Sequence, residues 1–289
     1  MKSPCILIWI YIPFFLFASF IPSATSQELN VLSFNIRYPN PNDGVHYWPN
    51  RKNLVSSIIR FYDADIIGLQ EAFRLQLDDL SADFPNFQWV GVCRTDGSTQ
   101  PDPDNEFSAI FYNGQKLKVL KSGTYWLSPT PQVIGSKGWD AALPRIVTWA
   151  QFEIISSGKQ FYHYNTHFDH MGVEARVKSA QLILDTLQPI IGLFPIVVTG
   201  DFNVNPETEV YRTLTKGLND AFYTSEMPHH GPQATFTNGF LFPGAPGTRI
   251  DYIFTNDQMK VLRHAIISEN WSGLFPSDHL PVYAKILIE

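Results

Sequence analysis

Oxygen- and nitrogen-bearing side chains recur in this sequence where apolar runs stop, in six short pieces with related chemistry. They are Ser33-Phe34-Asn35, Gln70-Glu71, Asn165-Thr166-His167, Gly200-Asp201-Phe202-Asn203, Arg249-Ile250-Asp251 and Ser277-Asp278-His279. Glu71 and Asn35 offer hard oxygen donors of the kind Mg²⁺ accepts, and that ion commonly takes only one or two carboxylates, keeping water and substrate phosphate in its other positions. Asp251 and His279 can pair, the carboxylate fixing the ring tautomer and raising its basicity. Asp201 and Asn203, on a turn after an apolar run, can set a water and a phosphate oxygen beside such an ion. Each piece alone also has a plainer meaning. Glu71 suits a helix start before Ala72 to Leu80, Asn35 a turn, the Asp201–Asn203 pair an Asx turn, and His167 a structural histidine. Together these plainer meanings weaken, because every ionisable group withdrawn from water is costly unless paired or metal-bound.

Other polar residues flank the six pieces. Arg37, Arg145 and Arg176 fall near Asn35, near the run entering Thr148-Trp149, and after His167. A guanidinium can hold a phosphate at two oxygens, so each is a candidate for substrate binding, with a surface ion pair as the alternative. His170 either lines the same pocket or caps the helix that follows. Trp139, Trp126 and Tyr125 flank Ser128 to Pro131 and either wall a binding site or pack the core.

The elements that must position these residues are legible in the apolar pattern. Strands are expected at Asn30–Ile36, Asp65–Leu69, Phe107–Tyr112, Ile146–Ile155, Gln160–Thr166, Pro195–Thr199, Ile250–Thr255, Val261–Ile267 and Val282–Ile288, all rich in branched or aromatic residues. A helix is expected over Arg51–Phe61, where Leu54, Val55, Ile58 and Ile59 share a face. Another is expected over Val173–Leu187, with Val173, Val177, Ala180, Leu184 and Leu187 in a stripe, and a short one after Pro206. So many strands with few helices predict two sheets packed face to face with helices outside them, and the strand ends then share a rim.

Composition bounds the partners. The chain has 289 residues with 21 basic and 27 acidic side chains, a net charge of −6. Tight non-specific binding to long nucleic acids relies on an excess of Lys and Arg, which is absent here. Lys2, the apolar run from Ile6 to Phe17, and small residues at Ala24 and Ser26 have the order of a secretory signal cleaved before Gln27. An uncleaved anchor is the alternative, since Cys5 to Pro22 approaches the ~20 residues of a membrane span. The expected organisation is a signal peptide over 1–26 and one domain over 27–289, exported to the periplasm or medium, monomeric and with no obligate protein partner. Cleavage would leave Cys93 as the one cysteine, so neither an internal disulfide nor thiol chemistry is expected; Cys93 suits a small buried hydrophobe.

In their order, the six pieces resemble the endonuclease/exonuclease/phosphatase superfamily, whose architecture is also called the deoxyribonuclease I-like fold. The resemblance runs from Leu29 to Glu289. It implies an α/β (α+β) fold, a four-layer α-β-β-α sandwich of two mixed sheets flanked by helices, with the site at one rim. It implies a divalent cation, Mg²⁺ or Mn²⁺, held by Glu71 with Asn35 nearby, and Asp278 reaching that ion through water or serving a second one. It implies phosphate contact by Asn203 and His167, and an attacking water oriented or activated by Asp201. His279, supported by Asp251, is implied either as general base or as phosphate stabiliser, in an in-line attack on phosphorus. Thr166-His167 is similar to the deoxyribonuclease I, sphingomyelinase and deadenylase branches; exonuclease III-type enzymes lack that histidine. The inositol-phosphatase branch carries an aromatic-Cys-Asp-Arg signature, and Pro246 to Tyr252 contains neither Cys nor Trp.

The expected activity is therefore a secreted phosphodiesterase or nuclease-like enzyme acting on nucleic acid or a small phosphodiester. One alternative is hydrolysis of a phospholipid head group, with Gly239-Phe240-Leu241-Phe242-Pro243-Gly244 as a membrane-touching hairpin; another is a small sugar-phosphate phosphatase. A non-catalytic binding module would have lost a catalytic residue, and none is lost. Asn270-Trp271-Ser272 is a glycosylation sequon.

Overall fold

The computed structural model describes residues 27–100, 106–240 and 247–288. The expected signal segment and residues 241–244 of the apolar hairpin, Phe242 among them, lie outside the described residues. In chain order the first strands are β1 Gln27–Asn35, β2 Ile66–Gln70, β3 Ala72–Phe73, β4 Phe87–Val90, β5 Glu106–Phe107, β6 Ile110–Asn113 and β7 Leu117–Trp126. The later ones are β8 Ile146–Ile154, β9 Gln160–His167, β10 Ile196–Asp201, β11 Asn219–Asp220, β12 Asp251–Thr255, β13 Met259–Ile266 and β14 Val282–Ile288. The helices are α1 Trp48–Phe61, α2 Arg74–Asp83, α3 Val173–Leu187, α4 Glu209–Leu214 and α5 Ala221–Thr224.

Two six-stranded sheets result, in the orders β13-β14-β1-β2-β6-β4 and β11-β12-β10-β9-β8-β7, and β3 pairs with β5 as a separate ribbon. Both sheets are mixed: β1–β2 and β9–β10 run parallel, while β1–β14 and β10–β12 run antiparallel. Val31, Ile66, Phe152, Phe161, Val197 and Ile253 pack between the sheets. Leu32, Phe34, Ile67 and Leu69 pack outward on Val55, Ile58 and Ile59 of α1 and on Leu77 and Leu80 of α2. Tyr164, Ile196, Val198 and Phe254 pack outward on Ala180, Ile183 and Leu187 of α3 and on Val210 and Leu214 of α4. These three apolar layers make the four-layer α-β-β-α sandwich that patterning and resemblance imply.

Because strand side chains alternate faces, every second residue of these strands looks into the space between the sheets. Along that inner face, apolar residues give way to polar ones as the strands run toward one rim. β1 reads Val31, Ser33, Asn35; β2 reads Ile66, Gly68, Gln70; β9 reads Phe161, His163, Asn165, His167; β10 reads Val197, Thr199, Asp201. The polar groups cross-link the sheets. The Asn165 amide donates to the Leu69 and Ala109 carbonyls at 2.8 and 2.9 Å, and its Oδ1 accepts from Gln70 at 2.7 Å and Thr199 at 3.0 Å. Gly68 permits this approach: a Cβ there would lie 2.0 Å from Thr199 Oγ1 and 2.5 Å from Asn165 Oδ1.

Some element boundaries differ from expectation for visible reasons. The run Phe107–Tyr112 divides into β5 and β6, because Phe107 pairs with Ala72 in the ribbon. That ribbon delays α2 to Arg74, so Glu71 does not start a helix; it sits between β2 and β3 with φ 56°. β7 was not anticipated. It lies at a sheet edge, where Lys118, Lys121 and Ser122 face outward and break the apolar run.

Candidate active site

Strand register assembles one row of the site. Asp201 lies opposite His167 in the β9–β10 pairing and opposite Asp251 in the β10–β12 pairing. Across the sandwich, Asn35 ends β1 beside Gln70, so Glu71 follows immediately. The Asn35 amide donates to Glu71 Oε1 at 3.2 Å and to Asp201 Oδ2 at 3.0 Å, linking the two sheets at the rim. His279, in the segment entering β14, completes the row. Its Nδ1 lies 2.9 Å from Asp251 Oδ2, and its Nε2 lies 3.8 Å from Asp201 Oδ2.

Asp201 does more than close a turn. Its Oδ1 accepts the Asn203 N–H at 3.0 Å in an Asx turn, with Asn203 at φ 52°, while its Oδ2 faces Asn35 and His279. His167 stands alongside, Nε2 at 3.5 Å from Asp201 Oδ2 and Nδ1 at 3.3 Å from Glu106 Oε1. On the far side Arg37 grips Asp43 through two 3.1 Å bonds and places Nη1 3.9 Å from Asp278 and 4.0 Å from Glu71. Arg37, Glu71, Arg145, His167, His170, Asp201, Asn203, Asp278 and His279 all line one cavity of about 530 Å³; Asn35 and Asp251 stand behind that lining.

Buried Arg51 fastens the loops that carry this row. It donates from Nη1 to the carbonyls of Ile36 and Pro276, from Nη2 to Arg37 and from Nε to His46, and Ser277 Oγ donates to the Asn35 carbonyl at 2.7 Å. Burial drives the Arg51 guanidinium down to about 10, still charged at neutral pH. From sequence Arg51 reads only as the start of a helix.

Acids outnumber bases around the row. Burial would lower the pKa of His279, but Asp251 and Asp201 overrule it and hold the imidazole well above its ordinary value. Burial raises Asp278 above its ordinary value; His279 opposes this, repulsion from Glu71 adds to it, and Arg37 and Arg51 offset it only in part. A pair of carboxylates in mutual conflict, with an amide oxygen at hand, is the donor chemistry of a hard divalent cation. Glu71, Asp278 and Asn35 therefore fit one. The Asn35 amide presently turns its nitrogen to the carboxylates, and its oxygen accepts the Arg37 N–H at 3.0 Å, so its orientation would reverse on ligation. The ligand atoms of Asp201, Asp251 and His279 also lie within 4.8 Å of one another. That trio also forms a hydrogen-bonded relay, Asp251 holding His279 Nδ1 and leaving Nε2 free to donate or, once deprotonated, to ligate.

Comparison with known proteins places the chain. The sequence profile of the Endonuclease/Exonuclease/phosphatase family matches residues 29–279. The chain belongs to that family. Members of the family are metal-dependent phosphoester hydrolases. A family protein from Bacteroides vulgatus is 39% identical, with a TM-score of 0.85 covering 91% of this chain and 100% of that one. A mannosyl-6-phosphatase from Bacteroides thetaiotaomicron is 34% identical, with a TM-score of 0.81 covering 89% and 99%. Human nocturnin is 26% identical over 258 residues, 81% of this chain but 57% of nocturnin. The chain thus spans about half to three fifths of the length of the curated relatives it matches.

Within this family member, one expected site residue falls elsewhere. Arg176 does not line the cavity: it lies in the first turn of α3 and donates back to the Asp169 carbonyl at 2.9 Å, so it fixes the His167–His170 loop. Tyr125 and Trp126 are buried, the Trp126 indole donating to the Arg94 carbonyl at 2.6 Å; they and half-buried Trp139 stay off the cavity lining. Phe240 stacks on His46 at 4.1 Å and packs against the core, so it is not presented as a membrane-touching side chain. Cys93 is buried, as its apolar surroundings suggest. Two charged lining residues went unnoticed in the sequence, Arg94 and Glu106. The available signal was an acid opening the apolar run that starts at Phe107.

Proposed function

We propose that this chain hydrolyses a small phosphate ester, a monoester in preference to a polynucleotide, with Mg²⁺ (or Mn²⁺) as its cation. The observation that carries the reading is the convergence of Glu71, His167, Asp201, Asn203, Asp278 and His279 on one cavity of about 530 Å³, a size that suits a small ligand. The net charge of −6 and the 34% identity to a mannosyl-6-phosphatase weigh the same way. When bound, the ion supplies charge stabilisation on the phosphoryl oxygens. Glu71, Asp278 and Asn35 would hold it.

The other roles follow from hydrogen-bond commitments. Asp201 accepts the proton of the attacking water, its Oδ2 lying among Asn35, His167 and His279 while Oδ1 is held by the Asn203 N–H. Asp251 commits His279 Nδ1, which leaves Nε2 to donate to a phosphoryl oxygen. His167 and Asn203 flank the same oxygen-binding space. A second reading, cleavage of a phosphodiester in nucleic acid, is favoured by the curated likeness to nocturnin and to a Ccr4 exoribonuclease subunit, the latter at 22% identity.

The test is a panel of phosphomonoesters, small diesters and oligonucleotides, run with Mg²⁺, with Mn²⁺ and with chelator. Turnover of monoesters that disappears on chelation and returns with Mg²⁺ is expected. Activity confined to oligonucleotides would establish the second reading, and turnover indifferent to chelation would end the metal reading.

A further inference from the structure

Away from the catalytic rim, the outer face of β7, β8 and β9 carries aromatic side chains that α3 covers only in part. Strand pairing sets Gly123 opposite Trp149 and Trp149 opposite Tyr164, and Tyr162 shares that face. The glycine decides where the indole goes. A Cβ on Gly123 would fall 2.9 Å from Trp149 Nε1 and 3.1 Å from both Cε2 and Cζ2, so the indole leans across β7 into the space a side chain would fill. Gly123, on an edge strand, brings nothing to cover it. Trp149, Tyr162 and Tyr164 are tiled rather than closely stacked: their centroids are 6.3, 6.3 and 6.4 Å apart, with interplanar angles of 33°, 23° and 26°. Phe194, edge-on to Tyr162 at 5.3 Å, extends the row. Trp149, Tyr162 and Phe194 are half-buried, and Tyr164 is buried beside them.

Polar groups frame these rings. Gln151, two residues on from Trp149, donates from Nε2 to Gln160 Oε1 at 2.9 Å, which leaves the Gln151 oxygen and the Gln160 amide nitrogen for other partners. The Trp149 indole N–H and the Tyr162 hydroxyl make no hydrogen bond among the described residues. Charge is sparse: Lys118 faces Glu153 at 3.7 Å, and Lys121, opposite Gln151, adds one positive charge. That is too little to hold a polyanion, whose binding rests on many cations. Rings bordered by unengaged amides complement a sugar, whose C–H faces pack on aromatic surfaces while its hydroxyls donate and accept at once. We infer that this face binds an uncharged carbohydrate chain, with Trp149 and Tyr162 packing on sugar rings and Gln151 and Gln160 reading their hydroxyls. His163, Asn165 and His167 occupy the opposite face of the same sheet, so a chain held here stays clear of the cavity. The inference stands apart from the choice of phosphoester.

Native gels cast with a soluble galactomannan, a xylan or a mixed-linkage β-glucan test this. At least one of the three should retard the wild-type protein. Trp149→Leu, which keeps an apolar side chain beside Gly123 but loses the ring, should weaken that binding about fivefold or more. Thermal melts establish that the variant folds, and Gln160→Ala, at the margin of the face, replaces it if it does not. In ¹⁵N-labelled protein, the indole N–H signal missing from Trp149→Leu should shift on titration with an oligosaccharide of the retarding polymer. No retardation by any of the three polymers, or retardation equal in wild type and variant, overturns the inference. So does a shift confined to other signals, which would place the sugar elsewhere. A wild-type dimer on gel filtration that Trp149→Leu separates would give the face to a second copy of the chain and overturn it too.

Discussion

His163 lies two residues before Asn165 on the inner face of β9, fully buried, and its response to acid can be worked out from its contacts. The Thr199 hydroxyl donates to Asn165 Oδ1 at 3.0 Å, so it receives a proton from His163 Nε2 at 2.8 Å. The Nδ1 lone pair of His163 then faces no partner among the described residues. Protonating Nδ1 would bury a cation with nothing to accept its new N–H, and burial accordingly depresses the group to about 3. The unfolded chain protonates the same ring near pH 6.5. Between pH 6.5 and 3 the unfolded state therefore binds more protons, and stability falls as pH falls, by about 1.4 kcal/mol per unit. Over the step from pH 6.5 to 5 the loss is about 2 kcal/mol. Other groups titrate in the same range, His264 among them, also lowered to about 3, so the assay must isolate His163. Urea unfolding of wild-type protein and His163→Gln at pH 6.5 and pH 5 does this, with m-values checked for constancy. The wild-type advantage over the variant should shrink by about 2 kcal/mol on acidification. An advantage unchanged between the two pH values would refute the argument and place the His163 proton elsewhere.

Two further outcomes follow from contacts at the rim. Asp251→Asn removes the acceptor that commits His279 Nδ1, and kcat should fall by about 10²–10⁴ with a smaller change in KM; a kcat within threefold of wild type would show that the pair is structural. Gly68→Ala should lower stability by about 1–3 kcal/mol or more through overpacking, read as a drop in midpoint on thermal unfolding, since its Cβ would strike Thr199 and Asn165; an unchanged midpoint would mean that the sheets separate freely there.

The polar ends of the inner-face runs were readable because strand periodicity and residue chemistry give the same answer: a sequence such as Val31 to Asn35 changes from apolar to polar on one face only. What periodicity cannot give is which strand ends meet. The meeting of Asn35 with Asp201, 166 positions apart, depends on the sheets facing each other and on Gly68 allowing them close. Glu106 and Arg94 escaped because neither ends a long strand: Glu106 opens the two-residue β5, and Arg94 lies outside the strands, tied to it by its N–H to the Glu106 carbonyl and by its guanidinium, with no periodic signal to mark either. Arg176 misled for a related reason: proximity in sequence to His167 placed it near the site, yet the first turn of α3 points its guanidinium at a backbone carbonyl. Arg51, between Asn50 and Lys52, looks like any polar residue at a helix start, and its partners are carbonyls, which every residue possesses.

The seating of β1 between β2 and β14 has a consequence for how the protein comes into being. Ser33 pairs with Val282 and Gln27 with Ile288, so the first described strand acquires one of its two neighbours only when the last has been synthesised. A nascent chain still lacking that strand would carry β1 with one open edge and the inter-sheet core half covered. Such an intermediate invites chaperone capture or premature aggregation. His279 arrives on the segment leading into that closing strand, so the row of polar residues at the rim is completed only when that sheet is.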